Sequence, residues 1–177
     1  MWVKVPAQPL AMIAAGCLLA GMAGMAGGFA AQAAPAGERY YIDFRARPST
    51  YIGHTYVVYY RLDAGGRVIE QHHAGLIPEE DVWKGLLSPI RATIRKYKDD
   101  TRLPPTVVYR RQITAAQFHR VHRAVGFLRT RQRRWHAVFF NCNDFGIEVA
   151  EALGLVRPPS LLPPSMWVGT LRLMNGR

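Results

Sequence analysis

Cys142 and His54 are the residues of this sequence best suited to covalent chemistry. Cys142 stands in the run Phe139-Phe140-Asn141-Cys142-Asn143-Asp144-Phe145. The other cysteine, Cys17, lies in an N-terminal segment with the features of an export signal, so the matured chain is expected to carry one thiol. Such a thiol has no internal disulfide partner. It pairs between chains, packs as a small apolar side chain, or reacts. On a helical wheel Cys142, Phe145, Val149 and Leu153 form one stripe, with Asp144, Glu148 and Glu151 opposite. The thiol therefore belongs on the core side of a first helical turn, where unpaired amides and the helix dipole favour an anion. The expectation is a thiol with a lowered pKa, a good nucleophile, beside amides able to hold an oxyanion.

A nucleophilic thiol needs a base, and the histidines are 54, 72, 73, 119, 122 and 136. His54 follows Ile52-Gly53 and heads the β-branched and aromatic stretch Thr55 to Leu62, which reads as a strand. Asp63-Ala64-Gly65-Gly66 is a turn signal, and Arg67 to His73 returns as a second strand. With a four-residue turn, Leu62 pairs with Arg67, Tyr56 with His73 and Val58 with Gln71. Gln71 and His73 then share the sheet face of His54, while a one-residue slip promotes His72 or Glu70. A histidine base with an orienting polar group one strand away is what a Cys-His-x triad requires. A metal site built from His54, His73 and Cys142 is the rival use of the same residues. His119 and His122 lie i,i+3 among arginines and read as a solvated helix face. His136 has no arguable partner. Arg120, Arg123, Arg129, Arg131, Arg133 and Arg134 form a basic run without the interleaved aromatics of a single-strand nucleic-acid binder, an anion-facing surface or a solvated helix.

The elements that must position these groups follow from the pattern. Pro78 to Trp83 can open a short helix, and Arg91 to Lys98 is a helix or basic loop closed by Asp99-Asp100 and Pro104-Pro105. Thr106 to Arg111 is strand-like. Thr114-Ala115-Ala116-Gln117 has capping-box spacing for a helix through about Arg129, with Phe118, Val121, Val125 and Leu128 on its apolar stripe. His136 to Phe140 reads as a short strand, Asn141 to Leu153 as the cysteine helix, and Gly154 as its stop. The Pro-rich tail wraps the core before a last element around Trp167 to Met174.

Residues 1–33 read as a secretory signal, with Lys4, an apolar stretch from Leu10 to Ala30 and Ala31-Gln32-Ala33 for cleavage. Uncleaved, the stretch would serve as a membrane anchor. Ala14-Ala15-Gly16-Cys17 only faintly resembles a lipoprotein box. Residues 34–38 form a linker, and 39–177 a single domain. Lys4 is the only charge of the leader, so the net charge of +11 becomes +10 without it. That excess favours anionic partners, and export points to envelope surfaces rather than nucleic acid.

The order of the parts is a histidine strand first, a polar strand second and a cysteine helix last. This order resembles the circularly permuted papain-like proteins: the lecithin–retinol acyltransferase-like group and permuted members of the NlpC-type clan of cell-wall amidases. Asn141-Cys142-Asn143-Asp144-Phe145 is similar to the Asn-Cys-x-x-Phe signature of the acyltransferase-like group, and Gly53-His54-Thr55-Tyr56-Val57 to its first histidine strand. The resemblance implies an α+β fold, a small antiparallel sheet packed against a cysteine-bearing helix. It implies Cys142 as nucleophile, His54 as general base and His73 as third polar residue, with no cofactor. The expected function is an exported thiol hydrolase, amidase or acyltransferase acting on a peptidoglycan peptide or an envelope lipid. The rival of a different class is a basic periplasmic binding or scaffold protein without catalysis.

Overall fold

The computed structural model describes residues 37–48, 53–131 and 133–176, all within one compact unit, Ala31–Arg177. The leader, its cleavage site and Cys17 lie outside the described residues. Six strands form one antiparallel sheet: β1 (Arg39–Arg47), β2 (His54–Leu62), β3 (Val68–Pro78), β4 (Ile90–Arg95), β5 (Val107–Ile113) and β6 (Arg133–Trp135). Their order across the sheet is β5-β1-β2-β3-β4-β6. Five helices accompany them: α1 (Lys84–Leu87), α2 (Asp99–Arg102), α3 (Ala115–Thr130), α4 (Cys142–Ala152) and α5 (Pro164–Asn175). The architecture is α+β, and among the described residues no helix is long and apolar enough to cross a membrane.

The period-two pattern of strands builds the core. Tyr40, Ile42, Phe44 and Ala46 of β1 face the same side as Val57 and Tyr59 of β2 and Ala74 and Leu76 of β3. Onto that face pack Phe118, Val121, Val125 and Leu128 of α3, Phe145 and Val149 of α4, and Trp167, Val168 and Leu171 of α5. The opposite face carries Tyr56, Val58 and Tyr60 with Tyr41. There the fully buried Asp43 accepts from Arg45 at 2.6 and 3.1 Å and from Arg110 at 2.9 and 3.1 Å.

The β2–β3 hairpin forms as expected, but its register is shifted by two residues. Val58 pairs with His73 and Tyr60 with Gln71, in place of the expected Tyr56–His73 and Val58–Gln71. Two causes add. The loop includes Arg67, whose carbonyl accepts from Asp63 N at 2.9 Å, so Leu62 pairs with Val68. A bulge between Arg61 and Leu62 adds the second residue. A two-residue shift preserves the faces, so Gln71 and His73 remain on the side of His54.

Three further expectations are corrected. Residues 90–95 form strand β4, neither helix nor loop, because Ile90 and Ile94 reach the core while β4 pairs with both β3 and β6. The helix expected to open at Pro78 begins at Lys84, because Pro78 still belongs to β3. The expected strand His136 to Phe140 is a tight turn, closed by His136 N to Phe140 O at 2.9 Å and Phe140 N to His136 O at 3.2 Å. The strand lies just before it, at β6. The α3 capping box, Thr114 with Gln117, forms as its spacing predicts.

Candidate active site

Asn141 caps α4. Its side chain accepts from Asn143 N at 2.8 Å, and Asp144 reaches back to accept from Asn141 N at 2.8 Å. The reciprocal pair satisfies first-turn amides and fixes where the chain enters the helix. Cys142, Phe145 and Val149 are buried along the predicted stripe. Cys142 itself is 4% exposed.

The thiol is flanked by the N–H and hydroxyl of Thr55 and by its own amide. Even so, burial pushes the Cys142 thiol above its ordinary value, and the two backbone amides only oppose the rise. The expected thiolate is therefore corrected to a resting thiol: desolvation outweighs the helix dipole at this depth. Thr55 also donates to Asn143 Oδ1 at 2.6 Å. The Asn143 amide is fixed in turn, its Nδ2 donating to the carbonyls of Ser160 at 2.8 Å and Leu162 at 2.7 Å. One network thus ties the head of β2, the start of α4 and the Pro-rich tail.

His54 starts β2 immediately after Gly53, whose φ of +81° suits glycine. A Cβ on Gly53 would also lie 3.1 Å from Arg47 O. The His54 ring is 7% exposed and stacks on Tyr56 with centroids 5.9 Å apart. On its other side the absent side chain of Gly75 makes room, since a Cβ there would lie 2.7 Å from Nε2. Burial, reinforced by the Arg47 guanidinium, lowers the His54 pKa to about 3, so the imidazole is neutral. Nε2 makes no hydrogen bond, and the nearest carboxylate oxygen is Oδ1 of Asp100 at 3.9 Å. That oxygen accepts from Arg47 Nε at 2.7 Å, and Asp100 Oδ2 accepts from Tyr97 N at 3.1 Å.

Cys142 and His54 line one cavity of about 490 Å³ at the end of the sheet where β1 finishes, β2 begins and β3 finishes. Its walls are mostly apolar: Leu76, Ile77, Val82, Leu103 and Trp135 among them. Glu80, Asp81 and Asp99 stand there too, with Arg47. The site therefore holds a thiol and a neutral imidazole in a space large enough for a small substrate group.

No protein-family model, curated protein or solved structure matches the chain.

His73 does not line this cavity. It sits opposite Val58, four residues along from the His54 position, about 13 Å at strand rise. It belongs to a second, polar cavity of about 520 Å³ with Arg45, Gln71, Lys96, Asp100 and Arg102. The polar group beside His54 is instead Asp100, which no spacing in the sequence singles out. His72 lies on the opposite face, stacked on Tyr59 at 4.9 Å and bonded to Glu70 at 2.7 Å. His119 and His122 are both exposed, and His122 also meets His72 at 4.8 Å between centroids. Among the described residues no three His, Cys, Asp or Glu side chains converge as a metal site. The basic run divides: Arg129 donates to Ile94 O and His73 O, and Arg134 to Pro89 O, whereas Arg120 and Arg123 point to solvent on α3.

Proposed function

We propose that the protein is an exported thiol hydrolase or acyltransferase of the permuted papain-like kind, acting on an amide or ester of the cell envelope. The observation that carries this reading is the shared cavity. A buried thiol at a capped helix start and a buried, neutral imidazole whose Nε2 makes no hydrogen bond among the described residues open into one space. The α+β order, with the histidine at the head of the second strand and the cysteine helix packed on the sheet, supports it.

The chemistry follows from the resting protonation states. Cys142 is a thiol and His54 a free base, so proton transfer accompanies attack and does not precede it. The imidazole turns from its stack on Tyr56, takes the S–H proton and leaves sulfur free to bond the carbonyl carbon. The N–H groups of Cys142 and Thr55 receive the developing oxyanion. The imidazolium then protonates the departing amine or alkoxide. Water, or an acceptor hydroxyl or amine, releases the acyl group from the thioester. The Arg47–Asp100 pair fixes the polar surroundings of the ring.

The test is to incubate the protein with p-nitrophenyl acyl esters and with muropeptides and weigh the intact chain. An acyl mass added to wild type, absent from Cys142→Ala and lost with turnover in His54→Ala, is the expected outcome. Equal turnover by all three proteins overturns the reading.

A second reading has its own support. The absence of a hydrogen bond at His54 Nε2 and the raised thiol pKa suit a basic envelope-binding protein without catalysis. It predicts no acyl adduct with any ester or amide, and unchanged ligand binding in Cys142→Ala.

A further inference from the structure

We propose that the second cavity binds a phosphate-type dianion, the anionic group of the molecule whose acyl or amide carbon reaches Cys142. The substrate part of this inference rests on the reading above, whereas the anion site itself does not. Arg45, Lys96, Arg102 and His73 stand around this cavity with Gln71. Both Lys96 and Arg45 act on the His73 ring as nearby positive charges.

The charge balance there is not closed. Arg45 is held by Asp43, which it shares with Arg110 outside the cavity. Asp100 is occupied by Arg47. Arg102 meets Asp99 only at 3.9 Å, in solvent. Lys96 has no ion pair among the described residues. Lys96, without an ion pair, and Arg102, held only loosely, are two cations on one polar hollow and match a dianion better than a single carboxylate. Guanidinium and ammonium groups are the usual phosphate partners. The Nδ1 atom of His73, buried without a partner, adds a donor on the same wall when it carries the proton.

Position gives this hollow its meaning. Leu103 lines both cavities, with Asp99 on the thiol side and Asp100 on the other, so the α2 segment is the wall between the anion site and the thiol. A molecule held by its phosphate on one side of that wall can present a neighbouring ester or amide on the other.

The test is calorimetric titration of the full chain with inorganic phosphate at low salt, repeated with acetate. Saturable one-to-one phosphate binding is expected, weakened about tenfold by Lys96→Gln and again by Arg102→Gln. Arg120→Gln and Arg123→Gln, equal charge losses on α3, are expected to leave it unchanged. Glycerol phosphate competing as well as inorganic phosphate marks a soluble ligand. Competition only by vesicles containing phosphatidic acid marks a lipid headgroup, and both support the site. No saturable binding, or equal weakening by the α3 variants, overturns it. Cys142→Ala is expected to bind phosphate like wild type, so loss of the catalytic reading leaves this result standing.

Discussion

Nε2 of His54 lies 3.9 Å from Oδ1 of Asp100, and that same oxygen accepts from Arg47 at 2.7 Å. The carboxylate beside the candidate base is thus already neutralised by a buried guanidinium. Arg47 and Asp100 are each almost fully enclosed, at 5% and 3% exposure, so neither charge can fall back on water. The arrangement favours an imidazole without charge, in contrast to an exposed histidine beside a free carboxylate.

Removing one member of this pair strands the other. Asp100→Ala is expected to cost about 3–5 kcal/mol of stability, read from urea unfolding. The double replacement Arg47→Met with Asp100→Leu recovers most of that loss, because no unpaired charge remains buried. A double variant as unstable as the single one would show that shape, and not charge, sets the cost.

His54 makes stability depend on pH in a definite direction. Its folded pKa, about 3, lies below the unfolded value of about 6.5, so between these values the unfolded chain binds the extra proton. Stability therefore falls as pH drops from about 6.5 towards 3, by at most roughly 1.4 kcal/mol per pH unit from this group. Asp100 works the other way, since burial raises its pKa and the folded state then holds a proton more readily than the unfolded one. The share of His54 is read as the difference in slope between wild type and His54→Asn in urea unfolding from pH 7 to 4. Equal slopes would remove the buried neutral imidazole.

Thr55 has one hydroxyl proton, and geometry decides where it goes. Asn143 spends both Nδ2 hydrogens on the carbonyls of Ser160 and Leu162, so its Oδ1 must accept, and Thr55 must donate to it. The Thr55 oxygen then offers the thiol only lone pairs, which favour S–H over a thiolate. Thr55→Val is accordingly expected to move the Cys142 alkylation midpoint to lower pH, measured with iodoacetamide. A midpoint moving upward would mean that the hydroxyl donates to sulfur. The unsatisfied Asn143 oxygen is expected to cost about 1–3 kcal/mol.

Gly75 is a packing constraint on the base. A Cβ at that position would lie 2.7 Å from His54 Nε2 and 3.1 Å from Tyr56 Cβ. Gly75→Ala is expected to displace the ring, lower ester turnover at least tenfold and cost about 1–3 kcal/mol. Wild-type turnover in this variant would separate His54 from the chemistry.

Local signals made part of this legible. The Cys142 stripe, the α3 capping box and the β2–β3 hairpin depend on residues a few positions apart, where periodicity and turn chemistry act directly. Central strand β1 also carries a period-two signal, in Tyr40, Ile42, Phe44 and Ala46. The charges of Asp43, Arg45 and Arg47 hide it from hydropathy, and Asp43 finds Arg110 only once β5 has come alongside. The position of His73 depends on a bulge at Arg61 and Leu62 that no glycine marks. Asp100 reaches His54 only because α2 folds over the end of the sheet. The thiol pKa reverses expectation because a helix start can be inferred from sequence, whereas the depth at which it sits cannot.

The hydrogen bond from Thr55 to Asn143 closes a loop of 88 residues. β1 likewise pairs with β5 across the intervening β2, β3 and β4. Contacts so distant along the chain carry a high loop-closure cost and belong to slow folding. Enclosure of the thiol, which needs α4 docked against the head of β2, is therefore expected late in folding, with the sulfur open to oxidants until then. In refolding from denaturant, protection of Cys142 from a thiol reagent should track the slowest phase, which makes the cysteine a built-in reporter of completed assembly.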